Sequence, residues 1–365
     1  MLEKLFKLKE NHTTVKTEIL AGITTFMTMA YILAVNPSVL GATGMDQGAI
    51  FTATVLASVV GTVCMALFAN YPFALAPGMG LNAYFAYTVV IGMGYPWQAA
   101  LAAVFVEGVI FILLSLFNIR EAIFNSIPAN LKKAVSVGIG FFIAFIGLQN
   151  AKIVVGGATL VEFFSLDAVE GGTMNDVGIT VFLAIVGVFI TSILVIKNVK
   201  GNILWGILAT WILGIICQLA GVYVVDVEAG VYSLIPTGLI SAPPSIAPIA
   251  GKLSFSGISI FDFIVVVFAF LFVDLFDTLG TLIGVSTKAG FLDKEGKLPK
   301  IKGALFADAL ATTIGAVLGT STVTTFVESA SGVSDGGRSG LTAFTAGILF
   351  LVALLFSPIL TTIPS

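Results

Sequence analysis

Apolar runs long enough to cross a bilayer follow one another along almost the whole of this chain. A membrane-spanning helix needs about 20 mostly apolar residues, and the 365 residues hold eleven apolar runs of about this length or slightly shorter. Only 10% of the residues are charged, against about a quarter in soluble domains, which excludes a soluble globular enzyme. The sequence therefore predicts one all-α polytopic membrane protein. The predicted spans are 17–36, 48–70, 73–91, 97–117, 132–150, 177–197, 202–221, 260–284, 303–318, 323–336 and 340–363.

The basic residues indicate how these spans are oriented. Cytoplasmic loops of membrane proteins carry an excess of Lys and Arg. With the N-terminus placed inside, only Lys152 and Lys252 among the 17 Lys and Arg residues fall in loops on the outside. We therefore predict a protein of the cell membrane with a cytoplasmic N-terminal segment, residues 1–16. This segment is expected to be either a short helix on the membrane surface or a solvated tail.

Cysteine and histidine are too few for a metal centre. Cys64 and Cys217 lie inside apolar runs, and the single histidine, His12, lies in the polar N-terminal segment. The net charge of −3 provides no basic field for nucleic acid. We predict no metal, no resident cofactor and no nucleic-acid partner, so that acid–base chemistry falls to carboxylates. The expected partners are a small substrate and membrane lipid.

Two of the apolar runs cannot form continuous helices. Residues 72–80 contain two prolines and two glycines, and residues 321–327 are mostly β-branched. Backbone that is not helical is tolerated at membrane depth only where protein buries it or where it lines a cavity. The sequence thus predicts short β-strands near 73–77 and 322–326, in spans three and ten, that cross or pair near the middle of the membrane.

The two breaks lie at equivalent places in two halves of the chain. Asn82, just after the first break, and Glu328, just after the second, are 246 residues apart, as are approximately the starts of spans one and eight. Spans one to four would therefore repeat as spans eight to eleven. A unit of seven spans is odd, so the second copy enters the membrane from the opposite side, which predicts an inverted repeat.

Five carboxylates fall within the predicted spans, and no Lys or Arg in a span interior neutralises them. Burying an acid at a helix centre costs at least about 2.5 kcal/mol, so such residues are functional by default. The alternative is a protonated acid that only joins helices, and it applies most to Glu107 and Asp308. The five are Glu107, Asp274, Asp277, Asp308 and Glu328.

The acids of span eight suggest a proton carrier beside a binding site. Asp274 and Asp277 are three residues apart on one helical face, with Thr278 beside them, and two such close carboxylates cannot both ionise cheaply. We expect Asp274 and Glu328 to face each other across a substrate and Asp277 to hold the proton. The Asn82 amide would form hydrogen bonds with the edge of a heterocyclic substrate. Alternatively, it would serve as a helix cap or form an interhelical hydrogen bond.

Gly80 permits close approach of backbone to a ligand, or relieves helix crowding. Together, carboxylates, an amide and exposed backbone predict a pocket for a flat, neutral molecule rich in N–H groups.

Four stretches of sequence resemble the azaguanine-type purine permeases, a branch of nucleobase–cation symporter family 2. They are AGITTFMTMAYILAVNP, APGMGLNAYFAY, FVDLFDTLGTLIG and ADALATTIGAVLGTSTVTTFVESASGVSDGGRSGLTA. The resemblance implies fourteen spans in two inverted repeats of seven, divided into a core domain and a gate domain. It assigns residues 17–117 and 260–363 to the core and 132–221 to the gate.

The resemblance also implies a substrate site between the two extended segments. The positions that match the family's binding residues are Asn82, Asp274 and Glu328, with Asp277 and Asp308 as supporting acids. Family members continue through three more helices after the point where this sequence ends, so about 11 of 14 spans are expected here. Half of the gate would then be missing, which puts a homodimer through the gate in doubt and predicts poor transport.

Secondary active import of purine bases such as hypoxanthine, guanine and adenine is the function these features favour. Protons would drive it by symport with alternating access, and sodium is not excluded. An anion carrier of the same fold, as in sulfate or bicarbonate transporters, is an alternative, but five intramembrane acids argue against it. An intramembrane aspartyl protease needs carboxylates on facing helices, whereas Asp274 and Asp277 share one helix.

Overall fold

A computed structural model describes most of the chain. The described residues are 2–117, 119, 122, 128–157, 160–165, 173–199, 201–226, 231–293 and 298–363. Helices dominate the described part of the chain, with two short two-stranded sheets.

The first third of the chain forms six helices and one strand. In order they are α1 (Leu2–Phe6), α2 (Val15–Met29), α3 (Ile32–Gly41), α4 (Gln47–Phe68), β1 (Leu75–Pro77), α5 (Met79–Ala83), which continues as a π-helix over Tyr84–Gly92, and α6 (Trp97–Leu116).

The middle of the chain forms three helices and a hairpin. They are α7 (Ala129–Asn150), β2 (Val154–Gly157), β3 (Leu160–Phe163), α8 (Ile179–Ile196), which follows a π-turn over Met174–Gly178, and α9 (Asn202–Leu219).

The last third of the chain again has long helices around one strand. The elements are α10 (Ile260–Ala289), α11 (Ile301–Leu318), β4 (Val323–Thr325), α12 (Ser329–Ser334), α13 (Gly340–Ala353) and α14 (Ser357–Leu360), the last two being joined by a 3-10 turn over Leu354–Phe356.

Seven helical segments among the described residues are long and apolar enough to cross a membrane. They confirm a multi-pass membrane protein. The full number of eleven spans stays a prediction, and the two broken segments contain only short helices.

The two broken segments meet as strands, in agreement with their sequence. β1 and β4 pair antiparallel, and every residue of both strands is buried. The ladder continues beyond the strands, since the Gly78 N–H donates to the Thr322 carbonyl at 3.0 Å and the Phe326 N–H donates to the Ala74 carbonyl at 3.0 Å. Protein therefore satisfies the backbone groups that lipid could not.

Helices from the two halves of the chain pack against each other in a reciprocal pattern. α11 packs against α4 and α6, and α13 packs against α4 and α2. α4 and α11 are close because Gly61 lacks a side chain: a Cβ there would lie 2.8 Å from that of Ala311. Exchanging spans one to four with spans eight to eleven reproduces these contacts, and β1 pairs with its own equivalent. This arrangement is the inverted repeat that the spacing of the breaks predicted.

Part of the N-terminal segment packs against the helices, so a fully solvated tail does not describe it, while the short helix on the membrane surface stays a prediction. Phe6 is 1% exposed and Leu8 is 2% exposed, in an apolar cluster with residues of α4 and α13. The side-chain amides of Asn11 and Asn70 donate to the Phe6 carbonyl at 3.2 and 3.0 Å. Phe6 is thus buried against protein, whereas Leu2 and Leu5 on the same short helix stay exposed.

The first span divides into two helices, although the sequence predicts one. α2 ends at Met29, and Ala30 and Tyr31 form a turn before α3 begins. The Thr28 hydroxyl donates to the carbonyls of Thr24 at 3.1 Å and Thr25 at 2.8 Å, a back-bonding pattern that bends helices. Ala30 and Tyr31 keep right-handed helical dihedral angles within this turn.

The helices of residues 132–221 present many apolar side chains at their surfaces. Phe141 of α7 and Val188 of α8 are among the exposed ones, which suits contact with lipid or further protein. Within this range, residues 158–159, 166–172 and 200 lie outside the described residues. The division into core and gate domains remains a prediction.

Candidate functional site

Four of the five predicted intramembrane acids gather around β4. Asp274 and Asp277 come from the middle of α10, Asp308 from α11 and Glu328 from the start of α12. The contact between α10 and β4, together with the pairing of β4 with β1, brings these elements to one place. The structure therefore joins residues that are up to 54 positions apart in sequence.

The hydroxyl of Thr278 is the centre of a buried polar group, the Thr278 cluster, which consists of Asp274, Thr278, Asp308 and Thr324. Its Oγ1 lies 2.8 Å from Oδ1 of Asp274, 3.0 Å from Oδ1 of Asp308 and 2.7 Å from Oγ1 of Thr324. All four residues are buried. The sequence pattern predicts Thr278 as a substrate-binding residue beside Asp274, and that role stays a prediction. In the structure its hydroxyl joins two acids to a strand.

The hydrogens in this cluster can be counted. Each threonine hydroxyl carries one hydrogen, and an ionised carboxylate carries none. Thr278 and Thr324 thus supply two hydrogens for the three contacts of Thr278, and Thr324 also interacts through a side-chain hydrogen bond with Asp277. All three contacts can be hydrogen bonds only when Asp274 or Asp308 carries a proton.

Asp277 and Glu328 occupy the more open side of the same region. Both are partly exposed, whereas Asp274 and Asp308 have no exposed surface. The two carboxylates lie close enough to interact electrostatically. A Cβ on Gly78 would lie 3.5 Å from Oδ2 of Asp277, so this carboxylate rests against the turn between β1 and α5.

This geometry favours Asp277 over Asp274 as the α10 acid that faces a substrate beside Glu328. The sequence predicts the opposite assignment, because a spacing of three residues shows that both share a face but not how the helix is rotated. Both residues stay within the candidate site, in different surroundings.

Tyr31 contacts the candidate site, although no local sequence pattern predicts it. Its hydroxyl donates to Oε1 of Glu328 at 2.8 Å, and it lies within electrostatic reach of Asp277. Thr28 adds a contact of 3.4 Å from its hydroxyl to the Glu328 carbonyl. The proline-containing first span gave no signal for Tyr31, since its partner lies 297 residues away.

Asn82 is fully buried in α5 and joins the two broken segments. Its Oδ1 accepts a hydrogen bond from the Ser321 hydroxyl, and its Nδ2 lies 3.5 Å from the Pro77 carbonyl. These contacts suit the interhelical link that was the alternative for Asn82. Gly80, in the same short helix, is partly exposed.

Glu107 reaches the strand region from a different helix. It lies in α6, has no exposed surface, and its Oε2 accepts a hydrogen bond from the Thr322 hydroxyl at 2.7 Å. Glu107 therefore contacts the residue that directly precedes β4. Among the described residues, no three His, Cys, Asp or Glu side chains are placed to hold a metal ion.

Comparisons with known proteins agree on the kind of protein. Residues 16–365 match the model of a family described as a permease family. A putative permease of Methanocaldococcus jannaschii is 50% identical over 364 residues, which cover 100% of this chain and 78% of the relative. The adenine permease AdeP of Escherichia coli is 42% identical, covering 100% of this chain and 77% of the relative. The guanine/hypoxanthine permease PbuO of Bacillus subtilis is 44% identical, covering 98% and 78%.

A solved structure shares the fold. The transmembrane domain of the cyanobacterial bicarbonate transporter BicA superposes with a TM-score of 0.66 at 17% identity, covering 96% of this chain and 85% of that domain. At this identity the likeness concerns the inverted-repeat fold alone.

Proposed function

This chain belongs to the permease family, whose members are transporters rather than enzymes, and we propose that it imports purine nucleobases together with protons. The relatives named as adenine and guanine/hypoxanthine permeases support the substrate class. Alternating access between the two sides of the membrane is part of the proposal, as are the core and gate domains and the cytoplasmic N-terminus.

The chemistry of the open side suits a purine. Glu328 and Asp277 offer carboxylate oxygens that accept hydrogen bonds from the N–H groups of a neutral heterocycle. A hydrogen bond contributes about 0.5 to 1.5 kcal/mol between neutral groups and about 1.5 to 3 kcal/mol when the acceptor is charged, so two such acceptors provide useful affinity. The sequence also predicts Asp274 and Asn82 as ligands. Both are fully buried and would support the residues that contact the purine.

The hydrogen count in the Thr278 cluster is the observation that carries the proposed coupling to protons. Because the cluster needs one proton on Asp274 or Asp308, one of these carboxyls can bind and release the transported proton. Thr324 connects the cluster to β4, from which Glu328 follows three residues beyond the strand. We infer that protonation of the cluster and occupation of the purine site are coupled through this strand.

Uptake of radiolabelled hypoxanthine tests the proposal. The chain is expressed in cells that lack purine uptake, beside a version extended by the three further spans that the family resemblance implies. Uptake is measured for both at acidic and neutral external pH, with and without a protonophore. We expect faster uptake at acidic pH, loss of accumulation with the protonophore, and competition by adenine or guanine. Uptake that follows a sodium gradient and ignores pH would refute proton coupling while leaving purine transport intact.

The alternative functions are disfavoured by specific contacts. An anion carrier would place its substrate beside Asp277 and Glu328, where two carboxylates repel it. For an aspartyl protease, Asp274 and Asp308 do come from facing helices, but both are fully buried around Thr278 and cannot reach a peptide and a water molecule. Competition by sulfate or bicarbonate in the uptake assay would support the anion carrier instead.

A further inference from the structure

The turn between α2 and α3 places a phenol against the acid at the start of α12. We propose that Tyr31 is a positioning residue, which holds the Glu328 carboxylate in the orientation that receives the purine. The hydroxyl of Tyr31 donates to Oε1 of Glu328 at 2.8 Å. The inference rests on the proposed purine site and adds a residue to it.

A partner for the Glu328 carboxylate fixes a side chain that the neighbouring protein covers only in part. Glu328 is partly exposed, and a glutamate side chain has three rotatable bonds that burial or a hydrogen bond must fix. The tyrosine ring has only two torsions and is itself partly packed against the apolar cluster that contains Phe51 and Phe326. The tyrosine is therefore the more rigid partner of the pair.

The contact occupies one part of the carboxylate and leaves the rest available. A carboxylate has two oxygens with about four acceptor positions, and Tyr31 uses one of them, on Oε1. Oε2 stays free of Tyr31 for a ring N–H of the substrate. The Thr28 hydroxyl, on the same helix, lies 3.4 Å from the Glu328 carbonyl, so α2 and its turn contact both ends of the residue.

A second tyrosine–carboxylate pair gives a matched control. The Tyr95 hydroxyl donates to Oδ2 of Asp262 at 2.7 Å, again between the two halves of the chain. Asp262 lies in the first turn of α10, 15 residues before Asp277, which is about 22 Å along the helix. If Tyr31 only linked the two halves of the chain, Y31F and Y95F would affect hypoxanthine binding alike. If Tyr31 positions Glu328, only Y31F would weaken binding.

The experiment measures equilibrium binding of radiolabelled hypoxanthine to the purified full chain in detergent. The variants are Y31F, Y95F, E328Q and the double variant Y31F/E328Q. We expect Y31F to raise Kd about fivefold to tenfold with an unchanged melting temperature, and Y95F to change Kd by less than about twofold. Adding Y31F to E328Q is expected to change Kd no further, because Tyr31 acts through Glu328.

Transport kinetics provide a second measurement that needs no binding by E328Q. Y31F is expected to raise KM by the factor seen in Kd, with Vmax within about twofold of the parent. A fall in Vmax at constant KM would overturn the assignment, since Tyr31 would then serve the conformational cycle. A Kd for Y31F equal to that of the parent would also overturn it. So would a Y31F substitution that raises Kd by the same factor in the parent and in E328Q.

Failure of the parent chain to bind any purine has a different meaning. It would refute the proposed function and this assignment with it. Parent binding with an indifferent Y31F refutes the assignment alone.

Discussion

The side chains of Glu18 and Thr342 meet inside the molecule, where the Thr342 hydroxyl donates to Oε2 of Glu18 across 2.7 Å. Glu18 lies in the first turn of α2 and has no exposed surface. It also accepts hydrogen bonds from the backbone N–H groups of Arg338, Ser339 and Thr342 and from the Ser339 hydroxyl. An acid from one half of the chain thus satisfies the N–H groups at the start of α13 in the other half.

Replacing Glu18 with Gln should destabilise the protein substantially. The variant keeps the shape of the side chain but removes the charge and turns an NH2 group toward N–H donors. Since hydrogen bonds to a charged group contribute about 1.5 to 3 kcal/mol, we expect a loss of at least this size in the free energy of unfolding. Thermal unfolding in detergent, followed by tryptophan fluorescence or by aggregation, measures the effect.

The matched control for this variant is E10Q. Glu10 is exposed and pairs only with Lys7 at 3.2 Å, so we expect a change within about 0.5 kcal/mol. Equal melting temperatures for E18Q and the parent would show that the carboxylate does not stabilise the start of α13.

A related contact occurs at the equivalent place in the other half of the chain. Comparing the sequences of the two halves does not reveal it. Asp262 lies in the first turn of α10, 244 residues after Glu18, and accepts a hydrogen bond from Tyr95, two residues before α6 begins. In both halves an acid on the first helix contacts the start of the fourth span in the opposite half. The residue types differ, so the relation is visible only in three dimensions.

The breaks, the pairing of strands and the acids around β4 followed from local sequence signals. Prolines, glycines and β-branched runs decide where a helix stops, and an unpaired acid within an apolar run is conspicuous by its cost. The rotation of α10, which separates Asp274 from Asp277, depends on packing against α6, α12 and β4. Tyr31 and Glu18 were missed because their partners lie about 300 residues away in sequence.

Removing the Thr278 hydroxyl should disable transport. In T278V the buried carboxyls of Asp274 and Asp308 lose their common partner, and an unsatisfied buried polar group costs about 1 to 3 kcal/mol. We expect hypoxanthine uptake to fall about tenfold or more, while T278S, which keeps the hydroxyl, retains most of it. T287V is a control on the same helix, because the exposed Thr287 hydroxyl bonds only to the Ile283 carbonyl. Normal, pH-dependent uptake by T278V would contradict the role of the cluster.

Replacing Glu328 with Gln should weaken purine binding by at least about tenfold. The substitution exchanges an acceptor oxygen for an NH2 donor and removes the charge, so a purine N–H would face a donor. Equilibrium binding of labelled hypoxanthine to the purified protein measures Kd directly, and an unchanged melting temperature shows that the fold is intact. Parent-like affinity in E328Q would mean that Glu328 is not a direct ligand and that the site is misplaced.

The proton and the purine can be assigned to different acids by comparing D308N with D277N. An asparagine at position 308 supplies from its NH2 group the hydrogen that a protonated aspartic acid would supply to Thr278, at every pH. D308N should therefore bind hypoxanthine within a few-fold of the parent, while the ratio of uptake at acidic and neutral external pH falls to about one. D277N removes an acceptor from the partly exposed side, so its binding should weaken about tenfold while any remaining uptake keeps its dependence on pH. The reverse pattern, near-normal binding with flattened pH dependence in D277N, would return the proton to Asp277, as the sequence alone predicts, and would exclude the Thr278 cluster as the proton site.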